Sequence, residues 1–556
     1  MNPLLIKKDY ILLYILLAIV YLTGLWIPLM ENDSAQHATM AMRMYLENDF
    51  VNIYKGGKDY LDKPHMHFWL AAFSFKLFGV SHWAYRIPAL LFTLLGAYSC
   101  NKLAKVFYGK QASHVAALVF LSTQSIFLAN HDVRTDAVLT GATIFGIWQL
   151  VLYVHLNKVK HAILGAIGVA IAFSTKGNLG VFVVGVCILV HIAYTKKWNI
   201  IWSWKTLVGL LAFFISIMPI LYAYYLQFDL HPEKTINNRT HISGVKFILW
   251  DQCFDRLTAT GFKKTSPDYF FFFHTLLWAF LPWSLIAYVA LFNRLKLLWK
   301  VKFTLQPKTE ILTSVGVLVV LIVISFSKFK LPHYLNSLLP ILSVLVAGYI
   351  INLHQNNKIK TTNILLIIQY TILTLGSAFI LFLILWAFMP PHVGYMLCYL
   401  LLVAGLCYIV ITQMQKLRKL VIVSVYFMIF INFCLNTQFY PKLLMYQAGN
   451  NAAKIIESEN IIKDDVFMLK NKPSWSLDFY TKRITPNLNI EEVVNMKKGT
   501  WLFLYEEQIS LLNQNNIEWS KKYEINHHRI TRLSFKFLNP NTREGILKKA
   551  YLLQIK

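Results

Sequence analysis

Long apolar runs alternate with short polar ones along the first 440 residues. Runs long enough, or nearly so, to cross about 30 Å of hydrocarbon fall near 11–30, 87–101, 112–130, 137–157, 161–175, 177–195, 206–228, 269–293, 311–327, 331–352, 362–389, 393–414 and 420–438. The pattern predicts about thirteen transmembrane helices. The runs at 87–101 and 161–175 are short and need flanking lysine and arginine to snorkel. No charge interrupts 361–415, where Pro390-Pro391 marks a turn between two helices. The first run follows Lys7-Lys8, and no small-residue cleavage site comes after it. It therefore reads as an uncleaved helix rather than a signal peptide.

From 441 onward the pattern changes. Lys, Asp, Glu and Asn are spread throughout, and strand-like runs at 466–469, 500–505 and 550–555 alternate with helical ones at 452–459 and 506–514. The expectation is a small α/β domain over 441–556 beside a membrane domain over 1–440.

Basic residues set the orientation. Lys7/Lys8, Lys102/Lys105/Lys110, Lys158/Lys160, Lys196/Lys197, Arg294 to Lys308, Lys358/Lys360 and Lys416/Arg418/Lys419 fall on one side if every run is a span. That side is the cytoplasm. The N-terminus is then inside and the 441–556 domain outside.

The opposite face holds two long loops, 31–86 and 229–268. Most connections are only a few residues long, so these loops read as functional. In the first, Ala38, Ala41, Met42 and Tyr45 share one helical face and Gln36, Thr39, Arg43 and Glu47 the other. This predicts an amphipathic helix along the membrane surface. Gly56-Gly57 is a turn, and the apolar stretch 66–75 is too short to span.

Composition supports this class. Of 556 residues, 56% are hydrophobic and only 15% charged, and the mean hydropathy is +0.48. The net charge of +27 would suggest nucleic acid in a soluble protein. Here the basic residues sit in loops that set topology, and no nucleic-acid partner is expected. The six cysteines show no disulfide or zinc spacing, and no Walker or Rossmann glycine pattern occurs.

The candidate chemistry lies at the outer ends of the spans: Asp33, Asp62, Lys63, Asp132, Arg134, Asp136, Lys176, Arg256, Lys263, Lys264, Lys328 and Lys330. Topology alone brings them to one level. Carboxylates there can serve as general base or metal ligand, and Lys and Arg can hold phosphate oxygens. Basic residues are disfavoured on the outer side, so Lys328 and Lys330 call for a compensating anion. Asp132, Arg134 and Asp136 are spaced i, i+2, i+4. On a helical turn the two carboxylates would share a face, able to hold a cation or bind sugar hydroxyls.

A first outer loop that opens on an acid and closes on Asp62-Lys63-Pro64 resembles the lipid-linked-sugar glycosyltransferases of the GT-C fold. The group it is most similar to is the aminoarabinose transferase and protein O-mannosyltransferase superfamily. WAYRIP at 83–88, VRTDAVL at 133–139, STKGNLG at 174–180, FLPW at 280–283 and KFKLPHYLNSLLP at 328–340 match in order. The resemblance implies a polyprenyl-phosphate sugar donor, an inverting transfer at the periplasmic face of the bacterial inner membrane, and a lipid A-type or glycan acceptor. It implies catalytic roles for Asp33 and Asp136, and donor-phosphate binding by Lys63, Arg256, Lys328 and Lys330. Arg134, His333 and Tyr334 are implied in substrate binding. One divalent metal ion is implied at Asp62, with Cys253 as a further ligand. A monomer is expected. The departures are Ser34, Gln36, His37, His65 and the Gln252-Cys253 pair, which point to a different sugar or acceptor pocket and put the metal site in question. Transfer to a Ser or Thr hydroxyl is the alternative within this class. A secondary transporter would need charges mid-span and inverted repeats, which are not visible; a non-catalytic scaffold is the third reading.

Overall fold

The computed structural model describes residues 3–31, 33–236, 239–258, 267–306, 309–389 and 393–556, with the side chains of 256 and 257 excepted. Ten helices open the chain: α1 (Lys7–Gly24), α2 (Asp33–Leu46), α3 (Met66–Phe78), α4 (His82–Tyr108), α5 (Lys110–Leu121), α6 (Gln124–His131), α7 (Asp136–Leu156), α8 (Val159–Lys176), α9 (Asn178–Thr195) and α10 (Trp204–Tyr224). Among the described residues, eight helices are long and apolar enough to cross a membrane. The number is nine if α5 and α6, bent by 52°, form one span.

The difference from about thirteen has local causes. Lys7, Lys8 and Asp9 charge the first turn of α1. The run at 269–293 divides into Phe271–Ala279 and Ser284–Lys300 around Pro282, and that at 311–327 opens with a π turn, Leu312–Gly316. Pro390 and Pro391 lie outside the described residues. The two short runs both gain length: 87–101 is the middle of the 27-residue α4, and 161–175 lies within α8. Glycine lets these helices pack closely. A Cβ on Gly141 of α7 would lie 2.1 Å from the Phe92 carbonyl oxygen of α4, a contact only a small residue allows.

Arg86 holds one end of this bundle together. It sits in the first turns of α4 and is fully buried. Its guanidinium donates to the carbonyls of Leu25 (3.1 Å), Ile27 and Pro28 (3.2 Å) after α1, and twice to the His131 carbonyl at the end of α6 (2.9 and 3.1 Å). Helix ends leave carbonyls without partners, and one planar fork satisfies those of two helices at once.

The first outer loop then folds as α2, a small hairpin of β1 (Tyr54–Lys55) and β2 (Lys58–Asp59) turning at Gly56-Gly57, and α3. The amphipathic expectation for α2 needs correction. Both of its faces are buried, including Gln36, Thr39 and Arg43. The polar face meets the C-terminal domain, not water or lipid headgroups: Thr39 Oγ1 donates to the Trp475 carbonyl (2.9 Å).

That domain is built on a five-stranded mixed sheet of β3 (Val466–Leu469), β4 (Asn487–Leu488), β5 (Trp501–Tyr505), β6 (Trp519–His527) and β7 (Lys548–Ile555), in the order β4-β3-β5-β7-β6. The edge strand β6 carries Lys521, Lys522 and Glu524, a charged edge that discourages further pairing and leaves no strand signature in the sequence. The sheet is tied to the start of the first loop. Glu31 Oε1 accepts from Ser474 Oγ (2.8 Å), Ser476 N (2.9 Å) and Ser476 Oγ (2.6 Å), and Leu29 N donates to the Tyr480 hydroxyl (2.8 Å).

Beside this contact Asp478 is buried. Burial pushes its carboxyl up to about 7, with the Glu31 carboxylate adding to the rise and the Thr485 amide opposing it. A raised acid favours the folded state when protonated. Its contribution is present below the ordinary Asp value and lost as pH rises through about 7. The melting temperature of the full chain in neutral detergent is therefore expected to fall more between pH 4 and pH 7.5 in the wild type than in Asp478→Asn. Equal slopes would refute this. Arg86→Met, which strands the carbonyls gathered by the guanidinium, is expected to destabilise the chain by about 3 kcal/mol or more, read as a lower melting temperature in the same assay.

Candidate active site

Asp33 is the first residue of α2, two residues beyond the Glu31 clasp. Its carboxylate is half exposed and lies 2.9 Å from the Arg134 guanidinium. Arg134 sits in the short turn between α6 and α7 and also meets Asp132 at 2.5 Å. Burial opposes charge on Arg134, but Asp132, Asp33 and Asp136 outweigh it and hold the guanidinium above its ordinary range. Asp33 is thus a carboxylate held by an always-charged partner, an acceptor of hydrogen bonds with one side open.

Asp132 and Asp136 do not share a face, which corrects the helical-turn expectation. The α6–α7 turn separates them. Asp132 pairs with Arg134, whereas Asp136 opens α7 and pairs with Lys176 at 2.5 Å. Lys176, the last residue of α8, is buried, and its ammonium also lies 5.1 Å from the centroid of the Tyr334 ring. Lys63 pairs with its neighbour Asp62 at 2.8 Å, and the Asp62 carbonyl accepts from Gln252 Nε2 (2.7 Å).

Three imidazoles complete the surroundings. Burial lowers His37 well below its ordinary value, and His67, Lys63 and Arg134 push the same way. His67 is lowered by burial to about 4. Burial takes His333 to about 3, with Lys176, Arg134 and Lys63 adding to the effect and Asp136 opposing. All three are neutral at pH 7, able to donate or accept without adding charge. His67 Nε2 meets the Tyr85 hydroxyl (3.0 Å), which donates to the Val133 carbonyl (3.1 Å). Among the described residues, Nδ1 of His37 and Nδ1 of His67 have no hydrogen-bond partner.

The structure therefore gathers Asp33, Asp62, Lys63, Arg134, Asp136 and His333 around one centre, with Tyr334 against Lys176. Lys176, a member of the outer-face charge set, joins them, as do His37 and His67, which the sequence reading assigned no role. Lys176 had a signal, being a lysine on the side where basic residues are disfavoured. Lys328 is exposed, and Lys330 holds its ammonium 5.6 Å from the Tyr269 ring centroid. The Arg256 side chain, Lys263 and Lys264 lie outside the described residues.

Among the described residues, no three His, Cys, Asp or Glu side chains converge. The Asp62 carboxylate faces the Lys63 ammonium, and Cys253 lines an apolar groove.

That groove opens beside the centre. It has a volume of about 470 Å³ and runs between α9, the segment around Trp250 to Phe254, and the helix Val317–Phe326. Leu179, Phe182, Trp250 and Ile324 make its walls; Lys176 and Tyr334 stand at its polar end. The Asp136–Lys176 pair links α7 to α8 in a dry setting, where removing one partner leaves an uncompensated charge. Lys176→Met is expected to cost about 3–5 kcal/mol. Adding Asp136→Leu should recover most of that loss, measured as melting temperature in detergent for both single variants and the double variant.

Comparison with known proteins bears on this arrangement. A family profile described as dolichyl-phosphate-mannose-protein mannosyltransferase matches residues 62–222. An undecaprenyl phosphate-alpha-4-amino-4-deoxy-L-arabinose arabinosyl transferase of Wigglesworthia glossinidia brevipalpis is 25% identical over 384 residues. The match covers 68% of this chain and 63% of that protein. One of two such transferases of Proteus mirabilis is 23% identical over 364 residues, covering 64% and 62%. The matched stretch thus spans under two thirds of these relatives' length. The crystal structure of ArnT from Cupriavidus metallidurans bound to undecaprenyl phosphate superposes with a TM-score of 0.73 at 16% identity, over 98% of this chain and 97% of that one. Its apo form gives 0.70. The chain thus shares the fold of ArnT, and its sequence is similar to the aminoarabinose transferases and, over 62–222, to the protein mannosyltransferase family.

Proposed function

We propose that the chain is a membrane glycosyltransferase that moves a sugar from a polyprenyl phosphate, undecaprenyl phosphate in a bacterium, onto a lipid acceptor of the lipid A type. The observation that carries this reading is the apolar groove whose polar end carries Lys176, beside the centre that holds the exchangeable Asp62–Lys63 pair. An isoprenoid tail suits the groove, and its phosphate would then reach the level of Lys63 and Lys176. The relatives' names agree, since they pair undecaprenyl phosphate with an aminoarabinose donor.

The chemistry follows from charge. Inverting transfer breaks the bond from the anomeric carbon to the phosphate oxygen, and negative charge grows on the departing polyprenyl phosphate. Fixed cations aimed at that charge stabilise the transition state. Lys63 can turn from half-exposed Asp62 to the phosphate, while Lys176 remains bonded to Asp136. Asp33, paired with Arg134 and open on one side, orients or deprotonates an acceptor hydroxyl. Where the acceptor is a phosphate no base is needed, and Asp33 instead stabilises positive charge at the anomeric carbon. No step requires a metal. We place this reaction at the periplasmic face of the inner membrane, with the N-terminus in the cytoplasm and the C-terminal sheet in the periplasm, from the distribution of basic loops. The match at 62–222 supports a second reading, transfer to a protein Ser or Thr hydroxyl.

Expression of the chain should add a sugar mass to lipid A, read by mass spectrometry of extracted lipids. A sugar on periplasmic peptides instead would favour the second reading. Asp33→Asn should lower transfer by about 10²–10⁴-fold, and Lys63→Ala should raise the KM for the donor. Transfer undiminished in Asp33→Asn that inserts normally would refute the assignment.

A further inference from the structure

The segment between β6 and β7 belongs to the sheet domain by sequence but packs with the spans. Ile530 and Phe537 are buried in the same apolar cluster as the membrane helices, with Leu538, Ile546 and Leu547 against it. Arg543 fixes the segment there. It donates to the carbonyls of Phe537 (2.7 Å), Leu538 (3.0 Å) and Ala387, and its guanidinium lies 4.6 Å from the Phe388 ring centroid. Ala387 ends a membrane span, so the segment sits at the interface between lipid and water. Phe535, 68% exposed, stacks on Trp386 at 6.0 Å, and exposed Leu533 lies beside it in the chain. Aromatic and apolar side chains so placed are typical of the headgroup level.

Ile530 and Ile546 of this foot also line a cleft of about 640 Å³, within the roughly 300–1,000 Å³ of small-ligand sites. Its acids are already held by protein donors. Glu507 binds Lys472 and Lys548, Glu506 accepts from the Lys549 amide (3.0 Å), and Glu31 is clasped by Ser474 and Ser476. Arg529 and Arg532 differ. Both are exposed and line the cleft, and a turn from the Arg532 amide to the Arg529 carbonyl (2.9 Å) brings them together. Among the described residues neither has a carboxylate partner. Arg529 Nε meets only the neighbouring Thr531 hydroxyl (3.2 Å).

We propose that this cleft docks the phosphorylated headgroup of a membrane lipid, with Arg529 and Arg532 taking the phosphomonoester oxygens and Phe535 and Leu533 entering the acyl region. It is separate from the Asp33–Lys63 centre. As an acceptor site it rests on the transferase reading, but the binding itself does not. Guanidinium forks match phosphate oxygens in geometry and charge, and the interface position selects a lipid over a free anion.

The test is calorimetric titration of the full chain in neutral detergent, in a Lys63→Ala background so that the central cations do not compete. Dihexanoyl phosphatidic acid should bind one to one. Dihexanoyl phosphatidylcholine should not bind, and glycerol 3-phosphate should bind at least tenfold more weakly. Arg529→Ala/Arg532→Ala should weaken phosphatidic acid at least tenfold without changing the melting temperature. Thr531→Glu, a charge placed in the same cleft at an exposed position, should do the same. Phosphatidic acid bound equally by these variants, or phosphatidylcholine bound as well as phosphatidic acid, overturns the proposal. Equal binding of glycerol 3-phosphate overturns its lipid part. Asp33→Asn should bind as its parent does, whether or not sugar transfer is lost.

Discussion

A buried guanidinium that must satisfy carbonyls from two helix ends is the constraint on which the active-site geometry depends. Arg86 cannot be hydrated, so every donor needs a protein acceptor. It finds them on the segment leaving α1 and on the last residue of α6. Those two segments carry Glu31 and Asp33 on one side and Asp132 and Arg134 on the other. The Asp33–Arg134 contact at 2.9 Å is therefore set by a residue that touches neither. A lysine, with three donors on a point charge, could not reach the same spread of carbonyls.

Within that frame the charges are arranged for exchange rather than for affinity at rest. Four carboxylates (Asp33, Asp62, Asp132, Asp136) face three cations (Lys63, Arg134, Lys176), and the nearby imidazoles are neutral. Under the proposed function, an arriving phosphate would gain little from the cluster as a whole and would have to take a cation from a partner that can spare it. Lys176 cannot be spared, because Asp136 is buried with it. Asp62 is 46% exposed and can be hydrated when Lys63 leaves. The pair that reads in sequence as a simple Asp-Lys step is thus the replaceable one, which is why adjacent residues carry it.

The sequence shows clearly what depends on hydrophobic period and on membrane level. It displays the helical bundle, a change of character near 440, and charged residues collected at the outer ends of spans, because those properties are written locally. It hides what depends on which helix faces which. Asp136 and Lys176 are 40 residues apart and pair only because α7 and α8 pack through glycines at their close approach. Asp132 and Asp136 look like one helical face until the turn between α6 and α7 parts them. The polar stripe of α2 looks like a surface until Trp475, more than 400 residues later, covers it. The strand Trp519–His527 carries lysines on an edge and has no apolar signature to find.

Among the described residues, the C-terminal domain holds the first long loop near its root and at α2, and is itself held at a separate foot. Glu31, clasped by Ser474 and Ser476, lies at the root of the loop, two residues before Asp33. The foot around Arg543 holds the same domain to the outer end of the span that finishes at Ala387. The sheet domain thus bridges the root of the loop and the end of that span. The large polar surface buried on α2 fits this: the helix that opens with Asp33 is approached from the bundle side by the segments Arg86 holds and from the far side by the sheet domain.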